Sequence, residues 1–331
     1  MKSLNQYINE KLKVSKTQYN YCPKTRKELD NLLDQLLKER GWEADLNDID
    51  TSNITDMSKL FYKMEDFNGD ISDWDVSNVT NMEYMFNVCK EFKGKGLEKW
   101  DVSNVTNMLN MFGLCKKFEG KCLENWDISN VTDMSVMFWG CENLDCDLSN
   151  WDVSNVTNMY YMFSFCKKFK GKGLENWNVS NVKDMESMFK QCKKFNPNML
   201  NWNMNNVITA KEMFYDCTEF NPDLSKSSIK NLFNMNKMFE LCKKFEGKGL
   251  ENWDVSKVES MYCTFDGCTN LNCDLSDWDV SNVTNMEAMF WGCINFNNDL
   301  SKWDVSNVIY KEGIFNNCPS LNSYNKPEFI Y

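Results

Sequence analysis

Apolar residues recur along this chain at one long, fixed period. Trp74, Trp100, Trp126, Trp151, Trp177, Trp202, Trp253, Trp278 and Trp303 follow one another at 25 or 26 residues; Ser227 stands in the single doubled gap and Ile49 in an earlier copy. Phe falls twelve residues after each of these eleven positions, from Phe61 to Phe315. Cys follows three residues later in ten of them, from Cys89 to Cys318, with Met64 in the first. Such a register marks one unit stacked on itself, each copy sharing its core with its neighbours.

The unit has two halves, seen in the copy that starts at Leu148. Trp151 and Val153 share one face of a short segment by the period of two, with Asp152 on the other, which predicts a short parallel strand. Val156, Met159, Met162, Phe163 and Cys166 then recur at three and four. That spacing predicts a short helix or 3₁₀ turn laid against the strand, capped by Ser154 or Thr157. Four units are one residue longer, with the extra residue in Gly-containing stretches at 92–96, 118–122, 169–173 and 245–249. There Gly lets the chain bulge outward without shifting the core.

Upstream of the repeats, Leu4, Tyr7, Ile8 and Leu12 predict a short amphipathic helix over 3–13, and residues 1–22 form a helix-and-linker segment. Thr25 and Glu28 form a capping box. A helix is expected from about Arg26 to Arg40, with Leu29, Leu32, Leu33, Leu36 and Leu37 inward and Gly41 ending it. Residues 23–45 thus cap the stack, 46–321 hold eleven repeats, and 322–331 form a tail.

Charge and composition remove several functions. The 331-residue chain carries a formal net charge of −11, unsuited to wrapping nucleic acid, and no apolar run is long enough to span a bilayer. Histidine is absent, and with it the commonest general base and metal ligand. No nucleophile–base pair, nucleotide fingerprint or metal cluster rises above the repeat, so the reading is non-enzymatic with no cofactor. Ten of the fifteen cysteines share one repeat position, which predicts a ladder of reduced, buried thiols. The N-terminus lacks a secretory h-region, and reduced thiols agree with an intracellular or particle-enclosed chain.

The pattern V-T-N-M-x-x-M-F-x-x-C-x-x-F…L-x-x-W-D-V, over about residues 46–321, closely resembles the BspA-like leucine-rich-repeat surface proteins, including the mycoplasma lipoprotein-type repeat. The resemblance implies a right-handed parallel solenoid of the leucine-rich-repeat kind, α/β in class, and a binding or adhesion role toward host or matrix proteins. This chain has no lipobox cysteine and no export signal, which favours an intracellular or particle-associated location over the surface that the family suggests.

Each repeated column has a structural and a functional reading. Trp shares its face with Val and reads as core, its indole N–H directed to the Asn or Ser of the following turn. Asp75, Asp101, Asp127, Asp152, Asp254, Asp279 and Asp304 follow the Trp directly. Stacked like charges repel, so each carboxylate either accepts N–H groups of the next turn or lines the concave sheet and meets a cationic, hydroxylated or calcium-bridged partner. Lysines gather after the Cys and in the Gly loops, among them Lys95, Lys117, Lys121, Lys168, Lys172 and Lys248, as a solvated face or an anion-binding ridge. The Asn-Val-Thr triplets at 78–80 and 155–157 match a glycosylation acceptor, yet repeat geometry accounts for them. The expectation is a recognition scaffold that meets a protein or glycan on its acidic sheet face. The alternative is a structural component of a virus particle or intracellular assembly, docked through residues 3–13.

Overall fold

The computed structural model describes residues 19–329. The expected helix over 3–13 and the end of the tail lie outside the described residues. Helix α1 spans Arg26–Arg40, as its signals predict. The Glu28 N–H donates to Thr25 Oγ1 at 3.3 Å, while the Glu28 carboxylate reaches back one residue further than a capping box requires and accepts from the Lys24 N–H at 2.6 Å. Gly41 closes the helix at φ 82°, its N–H on the Leu37 carbonyl. Leu29, Leu33, Leu36 and Leu37 are buried in the same apolar cluster as the repeats, and Leu32 packs at its margin. Arg26 Nη1 donates to the Ser58 carbonyl at 2.6 Å, and Arg40 grips Asp48 through two bonds of 2.9 and 3.0 Å. The helix therefore satisfies polar groups at the first copy and also covers its apolar residues.

From there the chain is a repeat protein with few helices and few strands. Successive copies pair in parallel through single bridges at one register position, running Asp56–Asn81–Asn107–Asp133–Asn158–Asp184–Thr209–Asn234–Ser260–Asn285–Tyr310. Among the described residues only one pair of strands is longer: β1 (Asn203–Met204) against β2 (Ser228–Ile229), parallel, with Asn203 opposite Ser228. These single bridges fall on the residue after Thr in the V-T-N stretch, whereas β1 and β2 lie on the Trp-Asp-Val register where the sequence predicts a strand, just after Trp202 and Ser227. In the copies from Trp74 to Trp177 and from Trp253 onward that stretch makes no strand pair.

The second half of the unit also differs from expectation. No helix forms between Val156 and Cys166; the segment is a train of turns. Main-chain N–H groups of Met159, Tyr161, Phe163 and Phe165 donate to carbonyls of the next copy, at Asp184, Glu186, Met188 and Lys190. Those of Met162, Ser164 and Cys166 turn back to carbonyls three residues earlier. A helix would spend every N–H inside its own copy; here alternate ones are committed to the neighbour. Two residues per copy take a left-handed backbone to make this path, Tyr161 at φ 54° and Phe165 at φ 65° in this one. The 3₁₀ turns lie elsewhere: Leu97–Lys99, Lys121–Leu123, Leu174–Asn176 and Leu250–Asn252, one in each longer unit, and Ser323–Asn325 after the last copy.

Equivalent side chains lie over one another. Phe112 and Phe138 stack at 5.7 Å, Phe163 and Phe189 at 5.6 Å, and Trp151 and Trp177 at 6.5 Å with rings almost parallel. In the copies that carry a second Phe it packs against the first, as Phe163 and Phe169 do at 4.4 Å; Leu144, Leu271 and Leu321 take its place in three others. All of these belong to one buried cluster, with Trp151 only 3% exposed. The indole N–H does not use the following turn. It donates to a carbonyl of the preceding copy, as in Trp126 to Leu97 at 2.8 Å and Trp151 to Leu123 at 2.9 Å, because the ring leans along the stack.

Candidate functional site

The Asp that follows each Trp opens a tight turn. Asp101 Oδ1 accepts the N–H of Ser103 at 3.1 Å and its hydroxyl at 2.6 Å. The same two bonds recur at Asp75, Asp127, Asp254 and Asp279, and the N–H bond alone is seen at Asp152 and Asp304. Backbone N–H groups are obligatory donors, and a carboxylate oxygen two residues back is the local acceptor that suits such a turn. Hydrogen bonds from the Ser two residues on hold the carboxyls of Asp101, Asp152, Asp254 and Asp304 below the ordinary aspartate range.

These seven carboxylates are exposed and lie just ahead of a turn, outside any named strand, although the equivalent Asn203 and Ser228 lie on β1 and β2. The acidic sheet face of the sequence reading is here an acidic row at the start of the turns. Each of these bonds goes to Oδ1, leaving Oδ2 of each without a hydrogen-bond partner among the described residues. The row is broken by Asn178 and Asn203, whose Oδ1 atoms make the same N–H bond at 3.2 and 3.1 Å. Beside it runs an amide ladder. Asn104 Nδ2 donates to the Ser77 carbonyl, Asn130 to Ser103 and Asn155 to Ser129, each at 2.8 Å. The Asn of the triplets is therefore bonded within the stack.

The thiols form their own column. Cys141 Sγ donates to the Phe112 carbonyl at 3.0 Å and Cys166 to Phe138 at 3.1 Å; all ten repeat cysteines are buried and free. Burial pushes these thiols far above the ordinary cysteine value, in Cys141 and Cys192 among others. Among the described residues, no group of three or more Cys, Asp or Glu side chains is arranged to hold a metal ion. No described helix is long and apolar enough to cross a membrane.

Two features escape a column-by-column reading. One is a half-buried charged cluster, where Lys190 pairs with Glu212, and Lys237 with Glu240 at 3.0 Å, while Lys190 lies 5.0 Å from the Tyr215 ring centre. Burial raises the Glu240 carboxyl. These positions differ from copy to copy, so the repeat gives no signal for them. The other is an open groove at the Gly loops of residues 92–122, whose signal is the one place where two longer units follow each other.

No curated protein matches the chain. Among solved structures, the functional domain of InlJ from Listeria monocytogenes, described as including a cysteine ladder, is 12% identical, with a TM-score of 0.17. The match covers 80% of this chain and 57% of that one, so this chain spans just over half of that structure's length; a likeness at that TM-score carries no weight for fold or function. The family described as "Mycoplasma protein of unknown function, DUF285" matches residues 30–141, 114–227, 141–249 and 233–327. These overlapping matches take in nearly all of the repeats, and the chain belongs to that family.

Proposed function

We propose that this chain is a non-enzymatic binding scaffold, a right-handed solenoid of the leucine-rich-repeat kind related to BspA-like proteins. Its Asp row is the surface that receives a protein or glycan partner. The observation that carries this reading is the division of labour within each carboxylate. One oxygen holds its own turn, and the other is left for a partner. Successive copies repeat that oxygen at about 4.8 Å intervals, so weak contacts to a basic or hydroxyl-rich partner add along one rigid body.

The test uses the chain's own variation. Asn178 already holds its turn as an Asp would, so replacing Asp101, Asp127 and Asp152 together by Asn removes charge and keeps the fold. The expected outcome is unchanged thermal unfolding with at least a tenfold loss of affinity for partners captured by the wild-type chain. Unaltered affinity in that triple variant would remove the Asp row as the binding surface.

A further inference from the structure

The loop side of the stack is irregular at one point. Longer units occupy residues 74–99 and 100–125, and nowhere else do two of them adjoin. Where a longer unit follows a shorter one, the Lys of its Gly-Lys-Gly stretch reaches back to an Asp of that shorter unit, as Lys95 to Asp70, Lys172 to Asp147 and Lys248 to Asp223. The second Gly of that stretch must be Gly there: a Cβ on Gly173 would lie 2.2 Å from the Ser149 main-chain nitrogen. In the unit 100–125 the preceding copy offers Lys95 in place of the Asp. Lys121 therefore turns to Glu119 at 2.7 Å, Cys122 takes the Gly position, and the 3₁₀ turn moves two residues earlier in the unit.

This mismatch opens a groove of about 680 Å³ lined by Lys93, Lys117, Lys121, Lys168, Glu98 and Glu119, with Gly120, Cys122 and Asn143 at its floor and rim. Glu119 is paired with Lys121. Among the described residues no carboxylate pairs with Lys93, Lys117 or Lys168, whereas Lys90, Lys116 and Lys167 nearby are each paired. Three ammonium groups without an ion-pair partner, with Lys121 beside them, thus outnumber the carboxylates of Glu98 and Glu119 on a concave site in a chain of net charge −11. The lining holds no Arg, so an anion there meets ammonium point charges and no bidentate fork, and it holds no aromatic ring for stacking on a sugar. Lys117 and Lys168 lie two copies apart, about 10 Å along the stack.

We propose that this groove binds an extended, multiply charged oxyanion of the phosphate or sulfate type, held by Lys93, Lys117 and Lys168. None of the seven Asp carboxylates lines it, so it stands or falls apart from the surface proposed above. Titration calorimetry of the full chain with inorganic tripolyphosphate, and separately with a polysulfated disaccharide, distinguishes the two sources. Saturable binding to at least one is expected, weakened tenfold or more by Lys117→Gln with Lys168→Gln and left unchanged by Lys226→Gln with Lys230→Gln, an equal loss of charge at exposed positions outside the groove. Glu98→Gln removes a carboxylate from the lining and is expected to tighten binding severalfold, a gain that misfolding cannot produce. No binding of either anion, equal losses in the two double variants, or no tightening in Glu98→Gln would each overturn the proposal.

Discussion

The indole N–H of Trp253 donates to the Ser227 hydroxyl at 3.2 Å, and that hydroxyl donates in turn to the Leu224 carbonyl at 2.7 Å. Every other repeat Trp meets a carbonyl of the preceding copy directly, as Trp278 meets Leu250 at 2.8 Å. Ser227, which stands where a Trp is due, thus carries a relay, and it is only 4% exposed. Ser227→Ala would leave a buried N–H with no acceptor, which costs about 1–3 kcal/mol. Chemical denaturation of the variant is expected to show that loss; an unchanged midpoint would mean that the indole finds another partner.

The thiol column makes a second prediction. Ten repeat cysteines are buried, with S–H groups on Phe carbonyls, and burial also raises half-buried Cys122 to about 12. Thiolate is the reactive form, so an aromatic disulfide reagent at about pH 8 should label one thiol promptly, the exposed Cys22. All fifteen should react once guanidinium unfolds the chain. Prompt labelling of several thiols in the native state would show that the column is open to solvent.

The parts of this fold that were legible in the sequence are those where one residue type does one job in every copy. Phe163, Trp151 and Cys166 announce a shared core because burial admits few substitutes at a fixed place. Helix α1 was legible for a local reason: Thr25, Glu28 and Gly41 act within one helix. The secondary structure inside the repeat was legible only in part: β1 and β2 fall on the predicted register, but the predicted helix does not form. Val156, Met159 and Met162 keep the spacing of a helix face, yet the same spacing serves turns whose N–H groups bond to the next copy, and periodicity alone cannot tell which carbonyl an N–H will meet. The Asp row was legible as a choice between turn and ligand, and the geometry gives each carboxylate one oxygen for the turn. The groove at Lys117 and Lys168 was hidden because it arises from how two loops of equal length stack, which is a relation between copies.

Acid should weaken the loop side of the stack. Asp147 is lowered to about 2, first by Lys172 and then by Ser149. Asp223 is lowered by Lys248 and Ser225; Asp70 is lowered although burial opposes it, because Lys95, Asn47 and Ser72 outweigh burial. A carboxyl whose folded value lies below its unfolded value stabilises the fold above the unfolded value, and that contribution is lost as pH falls toward the folded one. The expected loss therefore begins near pH 4 and continues to about pH 2. Its amplitude should shrink in Asp147→Asn and at high salt, since the lysines are largely exposed. A stability flat from pH 5 to 2 would show that these pairs contribute nothing.

The last prediction concerns the backbone. Val88 has φ 69°, in the left-handed region that a β-branched residue adopts only under strain of about 1–3 kcal/mol. Three other copies place Gly at this register, Gly140 at φ 71°, Gly267 at 72° and Gly292 at 70°. Val88→Gly relieves the strain at the expense of about 0.5–1 kcal/mol of chain entropy and of the apolar contact of a half-exposed side chain. Stability should therefore hold or rise slightly, where an ordinary Val→Gly change would lower it. The reverse change separates strain from packing: Gly140→Ala adds a Cβ at positive φ that would meet Leu114 Cδ2 at 2.7 Å, and it should destabilise clearly. Were Val88→Gly to cost as much as Gly140→Ala, the Val side chain's packing and not its backbone would govern the position. The copies carrying Gly would then differ from the rest for a reason other than the turn they share.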